Sequence, residues 1–482
     1  MMLLSALPFE LLYKIASLLD PEERRNLRLV SKKFCGVATP LVFETVSISV
    51  SRSRRDRKCL AFLKALKTRA DLAQHVQRLL INGFYHPSYE NETLWHVITN
   101  GQERDVRKKG KRLLEAIPSL ISLRTLHFYN FHPGVLSPSS VDSIMHALSR
   151  LPCLSHLSID FHEQHEQSPT PISYSEFHDL ERIGFGGRHM LDNIPPLVAR
   201  SPNVAHLSLL VEQDTEEAPT AASRIFSDLP KGRYSRVQQL TIAGRGIVLP
   251  AQDVSLIVPH LHHLTSLWIY IDDVAPEFWS ALRIEKICLR DVSVDIVNDA
   301  LLEYLASYSG VTSMTLVHKR PVNPGHHVDI SFRFWGEILP RHADTLLTLI
   351  VRPDFERSGG WCIDTRSLDA IRKCKRLEIL RVKLDREIFK WEDRANIISQ
   401  TLDHLHEWPA LNVLDFSSIM TGVTYTGNDH FSQLMKSVVG AFRCTKPAES
   451  VLRLTLSADF VDYRLSRRNS DAEVYSFKEV RR

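Results

Sequence analysis

The chain has 482 residues, 44% of them hydrophobic and 24% charged, which is ordinary for a folded protein and allows a large core. Its formal net charge of +4 at pH 7 is small for this length, so the composition gives no general case for nucleic acid or membrane binding. The seven cysteines are scattered without a CxxC pair, which indicates free thiols in a reducing compartment.

Residues 7–43 contain three short helical patterns. In the first pattern, Pro8 suits an opening helical turn, where a backbone N–H is not needed. Apolar residues then recur at helical spacing: Leu11, Leu12, Ile15, Leu18 and Leu19. The spacing predicts an amphipathic helix that is apolar on much of its circumference.

The second pattern begins with a capping signal. Asp20 and Glu23 have the spacing of a capping box, and Pro21 occupies the first helical position between them. Leu27 and Val30 continue the apolar face. A second short helix is therefore predicted directly after the first.

The third pattern carries Phe34 and Val37 and is predicted to end before Pro40. A unit of about 40 residues buries too little of its own surface to be stable alone. The three helices should therefore dock on a partner or on the rest of the chain.

The order of these residues resembles an F-box. The resemblance is carried by Leu7, Pro8, Glu10, Ile15, Leu18, Leu19, Asp20, Leu27, Arg28, Val30, Ser31, Lys32 and Phe34. It implies binding to the Skp-type adaptor and the cullin scaffold of a cullin-RING ubiquitin ligase. The adaptor contacts that it implies form an apolar cluster: Leu7, Pro8, Ile15, Leu18, Leu19, Leu27, Val30 and Phe34. A plain helical cap on the next domain is the alternative, because an amphipathic stripe by itself establishes only burial.

Four segments follow from the pattern along the chain. The F-box-like helical module covers residues 4–45, and a helical linker covers 46–75, with its helical pattern at 60–72. A repeat region covers residues 76–461. Residues 462–482 are polar and are expected to form a frayed tail.

A short strand-like sequence motif recurs through the repeat region, with apolar residues at its first, fourth and sixth positions. We call each copy of this motif a phrase. Thirteen phrases begin at Val76, Leu123, Leu154, Leu180, Val204, Val237, Leu264, Ile284, Val311, Leu346, Leu377, Leu411 and Val451. They are about 31 residues apart, within the period of solenoid repeats. Helical patterns lie between them, for example at 141–151 and 295–306.

This alternation predicts an α/β fold in which a curved solenoid has a parallel concave sheet and outer helices. The region resembles the irregular leucine-rich repeats of F-box proteins. An α-helical repeat array is the competing fold, but the period of two inside the phrases favours strands.

The phrases also predict a target-binding surface. If positions one, four and six enter the core, positions three, five and seven face the concave surface. There the chain places Trp268 and Tyr270, then Lys286 and Arg290 in the next phrase, and farther along Lys319, Arg352, Arg381 and Lys383. Aromatic and basic groups together predict a hot spot for a partly acidic protein partner. Coverage of these side chains by adjacent loops is the alternative.

Catalytic signatures are weak, and we expect no enzyme activity, cofactor or metal. The glycine-rich run at 184–187 does not match a phosphate-binding pattern and is interpreted as a flexible loop. The histidines at 162–166 precede a proline-containing segment typical of a solvated loop. The basic run at 107–112 is interpreted as a solvated insertion loop or a nuclear localisation segment.

The combined prediction is a substrate-recognition subunit of an SCF-type ubiquitin ligase, with an unidentified target protein. A repeat scaffold without a role in ubiquitination is the main alternative, and a hydrolase housed in the repeats is the second. The amino terminus lacks a basic segment of the secretory type, and no stretch approaches 18 uninterrupted apolar residues. We therefore expect the protein in the cytoplasm, the nucleus or both.

Overall fold

The structure is a computed structural model. It describes residues 7–49, 56–82, 100–131, 138–161, 174, 176–187, 193–212, 220–317, 324–353, 360–384, 391–418, 436–443, 455–458, 461–467 and 475–480. The chain divides into two units. Unit 1 comprises Met1–Ala218 and Arg224–Val237, and unit 2 comprises Pro219–Ser223 and Gln238–Arg482.

Unit 1 begins with the three predicted helices: α1 (Phe9–Leu18), α2 (Pro21–Leu27) and α3 (Lys32–Phe43). The predicted end of the third helix is wrong, because α3 continues through Pro40. A proline inside a helix removes one backbone hydrogen bond. The buried side chains of Val37, Ala38 and Leu41 supply packing that offsets this loss.

The sheet of unit 1 is parallel, and its strands pair in chain order. They are β1 (Thr45–Ser49), β2 (Arg78–Asn82), β3 (Thr125–Phe131), β4 (His156–Phe161), β5 (Arg182–Gly186) and β6 (His206–Glu212). Strand β1 lies in the segment interpreted as a linker. Phe43, Val46 and Ile48 have the apolar spacing of a phrase, but Phe43 is also the last residue of α3. The helical pattern therefore conceals the strand in the sequence.

The remaining helices of unit 1 lie between these strands. They are α4 (Asp56–Thr68), α5 (Ala70–Ala73), α6 (Asn100–Ala116), α7 (Pro138–Ser149) and α8 (Ile194–Arg200). The basic run at 107–112 is part of α6, so its interpretation as a loop is wrong. Leu113 and Ala116 anchor that helix in the core, and Glu115 pairs with Arg112 and with Lys67 of α4.

Unit 2 contains a large sheet and a small one. Paired neighbours in the large sheet are, in order, β8 (Gln239–Arg245), β10 (Ser266–Tyr270), β12 (Asp291–Val294), β13 (Ser313–Leu316), β14 (Thr348–Val351), β15 (Ile379–Leu384), β16 (Val413–Ser418), β17 (Thr455–Ala458), β18 (Val461–Arg467) and β19 (Tyr475–Val480). The small parallel sheet consists of β7 (Thr220–Ala221), β9 (Ile247–Leu249) and β11 (Asp273–Val274).

The last strands of the large sheet change direction. Strands β8 to β17 pair in parallel, whereas β18 is antiparallel to β17 and β19 is antiparallel to β18. The expectation of a frayed tail over 462–482 is therefore wrong. Buried Tyr463 and Phe477 anchor the two added strands, and a count of polar residues does not detect two isolated aromatic anchors.

Helices occupy the crossovers of unit 2. They are α9 (Val254–Ile257), α10 (Pro276–Ile284), α11 (Asp299–Ala306), α12 (Pro324–Arg333), α13 (Leu339–Arg341), α14 (Thr365–Ile371) and α15 (Trp391–Asp403), with a π-helical turn at Phe334–Ile338 before α13. The helices predicted at 141–151 and 295–306 are confirmed as α7 and α11.

Burial follows the predicted alternation within the phrases. In the phrase at Val76, for example, the side chains of Val76, Leu79 and Ile81 are buried, while Arg78 is exposed. The backbone hydrogen bonds between neighbouring phrases repeat as well. The carbonyl of Gln77, at position two, accepts hydrogen bonds from the N–H groups of Arg124 and Thr125, at positions two and three of the next phrase, at 2.8 and 2.9 Å. This repeated parallel pairing confirms the predicted fold class, a helical module followed by a strand–helix repeat solenoid. We call the sheet face that carries positions three, five and seven the polar face.

Of the phrases that the structure describes in full, one is placed wrongly, and the phrase at Val451 lies partly outside the described residues. The sequence predicts a strand after Ile284, but α10 continues through Ile284 and β12 starts only at Asp291. The N–H groups of Arg290 and Asp291 donate to the carbonyl of Thr265 at 2.7 and 3.1 Å, as positions two and three do in the other repeats. The phrase therefore begins at Leu289.

The two registers have the same apolar spacing, which explains the error. Ile284, Ile287 and Leu289 fit the phrase as well as Leu289, Val292 and Val294 do. The helix decides between them, because Ile284 ends α10 with its side chain exposed, whereas Val292 and Val294 are buried.

The glycine-rich run at 184–187 belongs to strand β5 and its end, so its interpretation as a flexible loop is wrong. A Cβ atom on Gly184 would lie 2.9 Å from the Ser158 Oγ atom of the paired strand. A Cβ here would therefore force the Ser158 side chain to shift, which favours glycine, and Gly187, with φ of 127°, directly follows the strand.

None of the six cysteines in the described ranges is in a disulfide bond: Cys35, Cys59, Cys153, Cys288, Cys362 and Cys374. Of the helices in the described part of the chain, none combines the length and the apolar character needed to cross a membrane.

Candidate functional site

Helix α1 has two apolar faces. Leu12 and Ala16 are buried in a small core with Val37 and Leu41 of α3. Leu11, Ile15 and Leu18 follow one another at helical spacing and are 49%, 42% and 82% exposed. We call these three residues the exposed stripe. The module therefore packs with one face of α1 and leaves a second apolar face in solvent.

Further apolar side chains of the module are exposed as well. Phe9 and Tyr13 stack on each other, with ring centroids 6.5 Å apart. Leu29 and Val30, in the turn after α2, are 85% and 65% exposed. Exposed apolar residues are ordinary when scattered, but several in a unit of about 40 residues are typical of an interaction surface.

Polar contacts hold α1 and α2 in place. The guanidinium of Arg24 donates from Nε to the carbonyl of Ala16 at 3.2 Å and from Nη2 to that of Ser17 at 2.7 Å. These bonds satisfy carbonyls at the end of α1, where a cation also complements the helix dipole. The predicted capping box of Asp20 and Glu23 is confirmed, with Pro21 at the first turn of α2.

The module is joined to the first repeats by aromatic packing. The rings of Phe43 in α3 and Phe62 in α4 stack with centroids 6.3 Å apart and planes 4° apart. Arg28 lies over the Phe43 ring at 5.0 Å. Helix α3 also packs against α5 and β1. This packing removes the need for a partner on the inner face of the module, but it does not cover the exposed stripe.

The structure separates the eight predicted adaptor contacts into two groups. Pro8, Ile15, Leu18 and Val30 are exposed, whereas Leu7, Leu27 and Phe34 pack against the module's own core and Leu19 is half-buried. The exposed residues that the prediction omitted are Phe9, Leu11, Tyr13 and Leu29. Leu11 could have been found from its spacing to Ile15 and Leu18. The binding role of all these residues stays a prediction.

Of the four predicted target-binding residues, Trp268 and Tyr270 lie on the predicted strand face, whereas Lys286 and Arg290 do not. Trp268 lies on the polar face of β10, is 49% exposed, and pairs in register with Thr241 of β8 and Ser293 of β12. The Tyr270 hydroxyl, next on that face, hydrogen-bonds with the Ser293 Oγ atom. Burial raises the pKa of Tyr270. Both aromatic residues therefore lie on the predicted face of β10.

The strand positions predicted for Lys286 and Arg290 are wrong. Lys286 lies in the turn after α10, with φ of 54°, and Arg290 precedes β12. The misplaced phrase is the cause. Lys319 lies outside the described residues, whereas Arg352, Arg381 and Lys383 are described.

No group of three or more metal-ligating side chains is close enough to hold an ion within the ranges that the structure describes. The histidines at 162–166 lie outside those ranges.

Comparison with known proteins bears on the amino terminus. Residues 4–49 match the protein-family model described as F-box-like. No curated protein sequence matches the chain. Among solved structures, the chain is similar to one in the crystal structure of the Rad7 and Elc1 complex in yeast, with a TM-score of 0.42 and 13% identity, covering 87% of this chain and 90% of that one. The family match covers α1 to α3 and β1, so the amino-terminal module is an F-box-like domain.

Proposed function

We propose that the chain is a substrate-recognition subunit of an SCF-type ubiquitin ligase. Its F-box-like module binds a Skp-type adaptor, which links it to the cullin scaffold, and the repeats bind the target protein. The observation that carries this proposal is the exposed stripe of α1, which remains in solvent although the adjacent face of the same helix, with Leu12 and Ala16, is buried.

The stripe fits a helix-in-groove contact, because Leu11, Ile15 and Leu18 are spaced at i, i+4 and i+7. Burial of one such side chain is worth roughly 1.5 kcal/mol or more. Two of them therefore account for an affinity change of about 100-fold. The module's own core, formed by Leu12, Ala16, Val37 and Leu41, does not use these side chains.

The proposed contribution of the repeats is proximity. Trp268 and Tyr270 on the polar face of β10 hold the target, and the ligase bound to the module brings the conjugating machinery near its lysines. A high effective concentration replaces any chemistry by this chain. The chain itself is accordingly proposed to be non-catalytic.

Adaptor binding by the full chain tests the first half of the proposal. Ile15→Ala with Leu18→Ala should weaken binding of a purified Skp-type adaptor by about 100-fold, as measured by calorimetry. Ile121→Ala is the matched control, because Ile121 is also exposed, at 54%, but lies outside the module. Unchanged adaptor affinity in the double variant, with an unchanged melting temperature, would reject the proposal.

Reconstituted ubiquitination distinguishes a substrate receptor from a scaffold that has no role in ubiquitination. Proteins crosslinked to the tagged chain are identified by mass spectrometry and added to the chain with adaptor, cullin and conjugating enzyme. Modification that requires the intact stripe supports the receptor. A stable complex whose partner is never modified would favour the scaffold.

A further inference from the structure

Two guanidinium groups lie together on the polar face of unit 2. Arg381 of β15 pairs in register with Ile350 of β14 on one side and Asp415 of β16 on the other. Arg352 directly follows Val351, whose register partner is Val382, so Lys383 is its neighbour on the next strand. Adjacent strands are about 4.8 Å apart, which concentrates positive charge here.

The described contacts satisfy these arginines only in part. The Nη2 atom of Arg352 donates to Oδ2 of Asp415 at 2.8 Å, reaching across β15. The Nε atoms of Arg352 and Arg381 are both buried and have no hydrogen-bond partner. Asp415 thus balances one of two guanidiniums. A buried donor without an acceptor is destabilising. The described part of the chain gives Arg381 no carboxylate partner, so a charge-assisted bond from its guanidinium to an outside anion would be favourable.

Apolar side chains flank Arg381 on one side. Ile350 lies beside Arg381, and Ile379 and Val413 pair in register on the same face; all three are half-buried. An apolar surrounding lowers the local dielectric and strengthens a charge-assisted bond. It also offers contact area to apolar side chains of a ligand.

We propose that the polar face of β14 to β16 binds an acidic peptide segment of a partner protein. A carboxylate of the segment bonds to Arg381, and a neighbouring apolar side chain of the segment packs on Ile350, Ile379 and Val413. A guanidinium matches a carboxylate with two parallel hydrogen bonds. A polyanionic nucleic acid fits less well, because it requires a longer basic track than these two strands carry. The inference relies on the proposed function only in taking this partner to be the target.

A peptide array tests the proposal with the full chain. Random 12-residue peptides that bind should be enriched in Asp or Glu next to Leu, Ile or Val. Arg381→Gln should reduce binding of the enriched peptides by at least about 10-fold. Arg376→Gln is the matched control, because it removes the same charge from an exposed residue just before β15 and should leave binding unchanged.

Three results would overturn the proposal: no enrichment of acidic residues, full binding by a folded Arg381→Gln variant, or tighter binding of single-stranded DNA than of the acidic peptides. The adaptor is absent from this measurement. A failure here therefore leaves the adaptor test unaffected, and a failure of the adaptor test leaves peptide binding to be judged separately.

Discussion

The side chains of Asp20 and Glu23 each accept a hydrogen bond from the backbone N–H of the other residue, at 2.8 Å on Asp20 and 3.0 Å on Glu23. This reciprocal pair sets the start of α2, and with it the chain direction after the exposed stripe. We expect Asp20→Ala to destabilise α2 by about 1 kcal/mol. Hydrogen exchange at the α2 amides measures this loss. Glu22→Ala is the control, and equal exchange in both variants would contradict the prediction.

Trp268 is expected to serve binding rather than folding. Because half of its side chain is exposed, Trp268→Ala should change the free energy of unfolding by less than about 1 kcal/mol and still weaken target binding. Trp279→Ala is the contrast, since Trp279 is buried and its loss should cost about 3 to 5 kcal/mol. Urea unfolding of both variants gives the comparison. A large destabilisation by Trp268→Ala would show that the residue is structural.

Gly184 is expected to be intolerant of a side chain. Gly184→Ala places a Cβ 2.9 Å from the Ser158 Oγ atom and should destabilise unit 1 by about 1 to 3 kcal/mol. Adding Ser158→Gly should recover part of this loss, which a double-mutant cycle in urea detects. Additive effects of the two changes would argue against the close approach.

Gly36 is the counterpart, because nothing lies within 4 Å of the position a Cβ would take. It is inside α3, where alanine is favoured over glycine by roughly 0.5 to 1 kcal/mol. Gly36→Ala should therefore raise the stability of the module. A lower melting temperature would contradict this.

His342 makes the stability of unit 2 depend on pH. Its Nε2–H donates to the Leu305 carbonyl at 3.2 Å and its Nδ1 accepts from the Val311 N–H at 3.5 Å, a pattern that only the neutral ring can make. Burial lowers the pKa of His342 to about 4. An unfolded histidine, with a pKa near 6.5, binds its proton at higher pH.

Stability should therefore be independent of this group above about pH 6.5 and fall as the pH drops from about 6.5 to about 4, by about 3 kcal/mol. Urea unfolding at several pH values measures the slope. His342→Gln should be less stable at pH 7 and should show a smaller loss over the same pH interval. An equal slope in both proteins would contradict the role of this residue.

The predictions that the structure confirms rest mainly on the spacing of residues close together in the chain. The capping box of Asp20 and Glu23 needs only residues three apart, and the buried positions of the phrase at Val76 follow from the alternation of side chains along a strand. In the first case the interactions that decide the structure lie within a few residues of one another. In the second they are the same in every repeat. The same reasoning placed Trp268 on the polar face correctly.

The failures come from patterns that two structures satisfy equally. Ile284 and Leu289 both fit the start of a phrase, and only the extent of α10 separates them. Residues of the last two strands, such as Tyr463 and Phe477, gain their partners from strands beside them and not from their own segment.

Sequence alone therefore determined that α1 is apolar on much of its circumference and that a strand–helix repeat follows it, because helical and strand periods are local properties of the chain. Only the tertiary structure decided that Leu12 and Ala16 are buried while Leu11, Ile15 and Leu18 are exposed. The reason is physical: the position of α3 against one side of α1 selects the buried face, and that position depends on contacts between residues far apart in the chain.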